Sequence, residues 1–249
     1  MIVRLFPFLA GALLLAASTL CAAPANKANL LPGKYAGIAD KLIKEATNSR
    51  FAYDRLAELC DTFGPRFSGS TNLEAAIDWT LAEMKKDGFQ NVRGEEVMIP
   101  HWVRGEESVE MLAPRAQKLP MLGLGGSIGT PPEGITAPIL VVKTFDELKE
   151  RAAEARGRIV LFNTPFTEYR ETVKIRYQGA DEASRAGAVA SLIRSVGPFS
   201  MQTPHTGGMR YADSTRKIPH AAISIEDAQM LQRMQDRGVT PRLRIKMEA

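Results

Sequence analysis

Short apolar runs alternate with amphipathic stretches through the second half of the chain, and each amphipathic stretch opens on a capping residue or closes on glycine. Ile139-Leu140-Val141-Val142 is apolar throughout and too short for a helix, so it reads as a buried strand. Thr144 follows as an N-cap with Glu147 at the capping-box position, and Phe145, Leu148, Ala152 and Ala155 share a face that ends at Gly157. Residues 158–162 give a second strand, 178–186 a helix, 188–193 a third strand and 218–223 a fourth. Ser224 and Asp227 open a helix that carries Ile225, Ala228 and Leu231 and stops at Gly238, and residues 242–247 alternate as a final strand. Strands and helices in this rhythm build βαβ units, which constrains residues from about 114 onward to a small α/β domain.

The preceding part has a different texture. Ile38, Leu42, Ile43 and Ala46 recur at helical spacing, and a second helix starting at Ser49 carries Tyr53, Leu56, Leu59 and Cys60 up to Gly64-Pro65. Thr71-Asn72-Leu73-Glu74 reads as a capping box for a third helix with Leu73, Ile77, Leu81 and Met84 on one face and Gly88 beyond its end. Residues 92–99 and 107–112 read as extended.

Residues 1–23 carry one charge, Arg4, an apolar run and then small residues, Cys21, Ala22 and Ala23. This is the layout of a secretory signal peptide, and its apolar run of about 16 residues falls short of the roughly 20 that span a bilayer. Export is therefore expected, to the medium, a periplasm or a lysosomal lumen, with no membrane association once the leader is cleaved. Cleavage near Cys21 would leave Cys60 as the one thiol, so core packing must hold the fold; Cys60, in Leu-Ala-Glu-Leu-Cys, is expected to be a small buried apolar residue. The net charge is +4, from 32 basic and 28 acidic residues that are interleaved, which gives no nucleic-acid footprint.

No complete active site can be read from the residues. Gly125-Gly126-Ser127-Ile128-Gly129 fits G-x-S-x-G, but a nucleophile elbow needs a helix after the serine, and Thr130-Pro131-Pro132 forbids one. The same glycines lack the helix N-terminus of a phosphate cradle. His101, His205 and His220 fall at no metal-ligand spacing, and no paired cysteines exist. Glu95-Glu96 and Glu106-Glu107 are neighbours on extended chain, so the members of each pair point to opposite faces. The most unusual segment is Gly64-Pro65-Arg66-Phe67-Ser68-Gly69-Ser70, an interhelix loop of small residues around one arginine. Arg66 there could meet a carboxylate of a substrate or of the protein itself, or the loop could be a rigid turn whose Ser70 or Thr71 caps the next helix.

That segment, extended as Asp61-Thr62-Phe63-Gly64-Pro65-Arg66-Phe67-Ser68-Gly69-Ser70 with Asn72-Leu73-Glu74 after it, resembles the carboxypeptidase Q (plasma glutamate carboxypeptidase) group of metallopeptidase family 28. The likeness continues through Ile99-Pro100-His101-Trp102-Val103-Arg104-Gly105-Glu106-Glu107-Ser108, through residues 122–136, and through Phe145-Asp146-Glu147-Leu148, residues 188–195 and Pro204-His205-Thr206-Gly207. It implies an exported, zinc-dependent exopeptidase acting on small peptides, with an α/β/α catalytic domain interrupted by a protease-associated α/β domain. Residues 24–113 would then be the incomplete leading part of the peptidase domain, and 114–249 the inserted domain.

The group's two zinc ions are held by two His, two Asp and a Glu, with a further Glu as general base, and all those motifs lie downstream of the inserted domain. None of them falls within these 249 residues. No catalytic or metal residue is therefore assigned, Arg66 is the one substrate-binding candidate, and no zinc is expected to bind this chain, which alone should be inactive. The partners implied are small peptides and the remainder of the peptidase domain, and the resemblance allows a homodimer of the full-length form. A free-standing exported interaction module built on the protease-associated domain is the rival reading; a serine hydrolase using Ser127 is a third.

Overall fold

Capping chemistry sets where the helices start. In the computed structural model, which describes residues 33–249, α1 (Gly33–Asn48) and α2 (Phe51–Phe63) belong to one compact unit and everything from Pro65 onward to another. In α2 the N-cap is Arg50; Ser49, where the helix was expected to start, stands one residue earlier and accepts a hydrogen bond from the Phe51 N–H (3.1 Å). Gly64 ends α2 at φ +58°, its N–H bonded to the Cys60 carbonyl (3.1 Å). No residue of α2 is buried among the described residues, and Cys60 is exposed, contrary to expectation. The expected leader, residues 1–23, lies outside the described residues.

The second unit begins with α3 (Thr71–Lys86). Its N-cap is Ser70, whose Oγ accepts from the Leu73 N–H (3.2 Å), so the capping serine replaces the Thr71 box read from sequence. Gly88 takes φ +83° just beyond the helix, as its C′ role requires. Residues 92–99 form no strand: Val97 and Met98 are 71% and 89% exposed, and no neighbouring strand offers them a ladder among the described residues.

Eight strands follow in the order β2-β1-β8-β4-β5-β6-β7-β3. They are β1 (Glu107–Ala113), β2 (Gln117–Leu119), β3 (Met121–Gly123), β4 (Ile135–Val142), β5 (Ile159–Phe162), β6 (Ala190–Arg194), β7 (His220–Ile223) and β8 (Arg242–Met247). β4 to β7 are parallel neighbours; β8 joins β4 to β1 antiparallel, and β2 and β3 close the two ends antiparallel. Those two ends are separated in sequence by Pro120 alone, a span of roughly 7 Å. A flat eight-stranded sheet would hold its edges several times farther apart at about 4.8 Å per strand, so the sheet must curl until β1 and β3 pack together.

Period-two alternation then sorts the side chains. Ile139, Val141, Ile159, Leu161, Leu192, Ile223 and Ile245 point to the inside of the curl, where Ala228, Leu231 and Met234 of α8 (Ile225–Asp236) join them. Leu140, Val142, Val160, Phe162, Ile193 and Ala222 point outward under α4 (Phe145–Glu150), α5 (Ala152–Ala155) and α7 (Lys174–Arg185). The single helix expected from Phe145 to Gly157 is broken into α4 and α5 at Arg151, which leaves helical geometry and pairs with Glu147 (3.1 Å) and Glu154 (2.9 Å). A short α6 (Tyr169–Thr172) precedes α7. The mixed α/β class is thus as read; the expected boundary at 113/114 falls between β1 and β2, which are partners in one sheet.

Candidate functional site

Four of the sequence segments singled out above meet at one cleft of about 400 Å³. Phe67 and Ser68 come from the Arg66 loop, Pro100, Trp102 and Arg104 from the extended chain ahead of β1, Gly125 and Gly126 from the glycine-rich arm after β3, and Thr206, Gly207 and Gly208 from the loop between β6 and β7.

Each segment is fixed locally. Gly69 takes φ +76°, and a Cβ there would lie 3.0 Å from Cγ of His101, so the Arg66 loop lies against the His101 ring. Asn72 Nδ2 donates to the Pro65 carbonyl (3.2 Å), which ties the loop to α3. Trp102 and Arg104 are partly covered while His101, Val103 and Gly105 are exposed, an alternation of period two. The Trp102 indole N–H donates to the Ser127 carbonyl (2.9 Å), and the Arg104 guanidinium stands 5.2 Å from the Trp102 ring centroid. Gly123 is the knot: its carbonyl accepts from Arg104 Nη2 (2.6 Å) and Thr206 Oγ1 (3.0 Å), and its N–H donates to Glu107 Oε2 (2.8 Å). Glu107 is pulled under the sheet end, where burial raises its carboxyl pKa against the opposing pull of the Gly123 N–H and Arg104, 3.3 Å away. Gly125 and Gly208 face each other as an isolated parallel bridge, with the Gly125 N–H on the Gly207 carbonyl (3.0 Å).

The cleft therefore has aromatic and proline walls, a floor of backbone, and an arginine whose charge is already engaged by Glu107. Arg66 is half-buried in the loop that forms one wall, directly before Phe67. Trp102, Arg104 and Thr206 lie in segments quoted for the resemblance but were assigned no role from the sequence; the alternation of Trp102 and Arg104 was the available signal.

Ser127 is 2% exposed, β3 ends at Gly123 without running into it, and no helix follows it directly. Its Oγ accepts from the His220 N–H (2.9 Å), donates to the Ile128 carbonyl (3.0 Å) and lies 3.4 Å from Tyr211 Oη, which ties the arm to β7. His220 is fully buried, and burial lowers its pKa to about 4, so it stays neutral at physiological pH. His205 donates its backbone N–H to Ser195 Oγ (2.8 Å). Among the described residues no group of three or more His, Cys, Asp or Glu side chains is placed to hold a metal ion. These residues do not fit a zinc centre. Among the described residues no helix is long and apolar enough to cross a membrane.

No family model matches the chain. Carboxypeptidase Q of Mus musculus is 54% identical over 207 residues, which is 82% of this chain and 44% of the relative. The crystal structure of a peptidase M28 precursor from Shewanella amazonensis superposes with a TM-score of 0.80 at 33% identity, over 85% of this chain and 50% of that one. A zinc aminopeptidase from Bacillus subtilis shares the fold at 20% identity and a TM-score of 0.54, over 79% and 43% of the two chains. The chain is thus a homologue of carboxypeptidase Q and of the M28 peptidase precursor, and it spans about half the length of the relatives it matches.

Proposed function

We propose that this chain is the leading portion of an exported, zinc-dependent exopeptidase that cleaves small peptides, with the metal-binding residues beyond residue 249. The observation that carries this reading is 54% identity to carboxypeptidase Q over four fifths of the chain. In this reading residues 24–113 begin the peptidase domain and the following residues form an inserted protease-associated domain. Pairing of β1 with β2 and β8 favours drawing the boundary before Glu107 rather than after Ala113. Exposed Ile38, Leu42 and Ile43 on α1, together with Val97 and Met98, are apolar surface that the remainder of a peptidase domain would cover. The homodimer and the exported location belong to the same proposal.

Arg66 is proposed as a substrate-side residue because its loop forms one wall of the cleft. The rival reading, a free-standing interaction module, draws support from one feature: the eight-stranded unit buries a core on both faces of its own sheet. Sequencing the reading frame past codon 249 separates the two. Continued coding with H-x-D and Asp-Asp-Gly motifs is the expected result, whereas a genuine stop codon would overturn the peptidase reading in favour of the module.

A further inference from the structure

Arg176, in the first turn of α7, is a charged side chain only 4% exposed. It forms no ion pair among the described residues. Asp181, one turn and a half along the same helix, instead accepts from the Ala212 N–H through Oδ2 (3.0 Å). Arg176 Nη2 donates to Tyr169 Oη (2.9 Å) and, more weakly, to Tyr177 Oη (3.4 Å), and its guanidinium carbon lies 5.7 and 5.2 Å from the two ring centroids. Its Nε is buried without any hydrogen-bond partner.

A buried guanidinium is costly unless an anion meets it, because the charge has lost its water. Here the groups around it make the cluster rich in donors. Both phenol oxygens already accept from Arg176, so each hydroxyl proton is left to be donated elsewhere. Tyr169 and Tyr177 are 48% and 47% exposed, so their side of the cluster faces solvent. Gly207, which lines the cleft described above, lies flat on the other side: a Cβ there would be 2.7 Å from both Cζ and Nη1 of Arg176.

We propose that Arg176, with the Tyr169 and Tyr177 hydroxyls, is a recognition site for a free carboxylate of a peptide ligand. A single positive charge calls for one negative charge, and the planar guanidinium fork matches a planar carboxylate. Naming the ligand a peptide rests on the peptidase reading, but the binding test involves no hydrolysis. Failure of either result therefore leaves the other standing.

The test is an NMR titration of the isotope-labelled 249-residue chain with N-acetylglycine, with N-acetylglycinamide and with inorganic phosphate. Saturable shifts of the Tyr169, Tyr177 and Gly207 amides are expected with N-acetylglycine and not with the other two. Arg176→Leu should weaken the binding at least about tenfold and Arg176→Lys less, with melting curves showing that each variant is folded. Absence of saturable shifts in the wild type, equal shifts with the amide or with phosphate, or undiminished binding by folded Arg176→Leu would overturn the proposal.

Discussion

The side-chain amide of Gln235 completes the backbone of Val141: Oε1 accepts from the Val141 N–H (2.8 Å) and Nε2 donates to its carbonyl (2.9 Å). The register of β8 against β4 ends at Pro138–Arg242, so a residue of α8 takes over where the strand stops. Val141 is fully buried, and its N–H has no route to water. Gln235→Ala should cost about 1–3 kcal/mol, the penalty of one unpaired buried donor. The Val141 carbonyl keeps Arg151 Nη1 (3.3 Å) as a second partner. Gln235→Glu can still accept and should cost less than Gln235→Ala, as urea unfolding of both variants would show.

His220 makes stability depend on pH. Its folded pKa, near 4, lies below the ordinary 6.5, so between pH 6.5 and 4 the unfolded chain binds the proton and the folded chain does not. Stability contributed by neutral His220 is therefore full above pH 6.5 and is lost as pH falls toward 4, by about 3 kcal/mol in all. Carboxylates add their own slopes, so the informative quantity is the difference between wild type and His220→Asn. That difference should shrink as pH drops from 7 to 4, and parallel curves would disprove the assignment.

Ser127 holds the glycine-rich arm and does no chemistry. Ser127→Ala removes an acceptor from the buried His220 N–H and should lower stability by about 1–2 kcal/mol. Any hydrolysis shown by the protein should survive the substitution unchanged, and loss of turnover in a folded variant would restore the nucleophile reading.

The Arg66 loop can be probed without touching its arginine. Gly69→Ala must hold φ near +76° with its Cβ 3.0 Å from the His101 ring, so it should destabilise the protein by about 1–3 kcal/mol. Arg66→Lys in the longer protein then distinguishes the two roles of this loop. A loss in kcat/KM at an unchanged melting temperature is the expected outcome for a residue that meets substrate. A lowered melting temperature with normal activity assigns Arg66 to packing.

Local chemistry made much of the fold legible. Thr144 and Ser224 cap α4 and α8 by accepting from Glu147 and Asp227, both at 3.0 Å, where their spacing says they should. The runs 139–142 and 159–162 are strands because four buried apolar residues leave little else. What escaped depends on distant partners. β2 and β3 have three residues each and exist only because β1 and β7 offer them ladders. The run at 92–99 has strand composition but no such partner, and remains irregular. The cleft was half visible: the segments were conspicuous, but their meeting point is set by the curl of the sheet and the knot at Gly123. Arg176 gave no signal, because burial of an arginine between two tyrosines leaves no mark in the local pattern.

On the proposed reading these residues supply scaffold and cleft wall to a peptidase whose metal chemistry lies elsewhere in the polypeptide. The most direct test of that reading is dipeptide hydrolysis, measured with and without a chelator, on the 249-residue chain and on the product of the extended reading frame. No hydrolysis is expected from the chain alone, and chelator-sensitive hydrolysis from the longer product. Chelator-sensitive hydrolysis by the 249-residue chain itself, or none by the longer product, would contradict it.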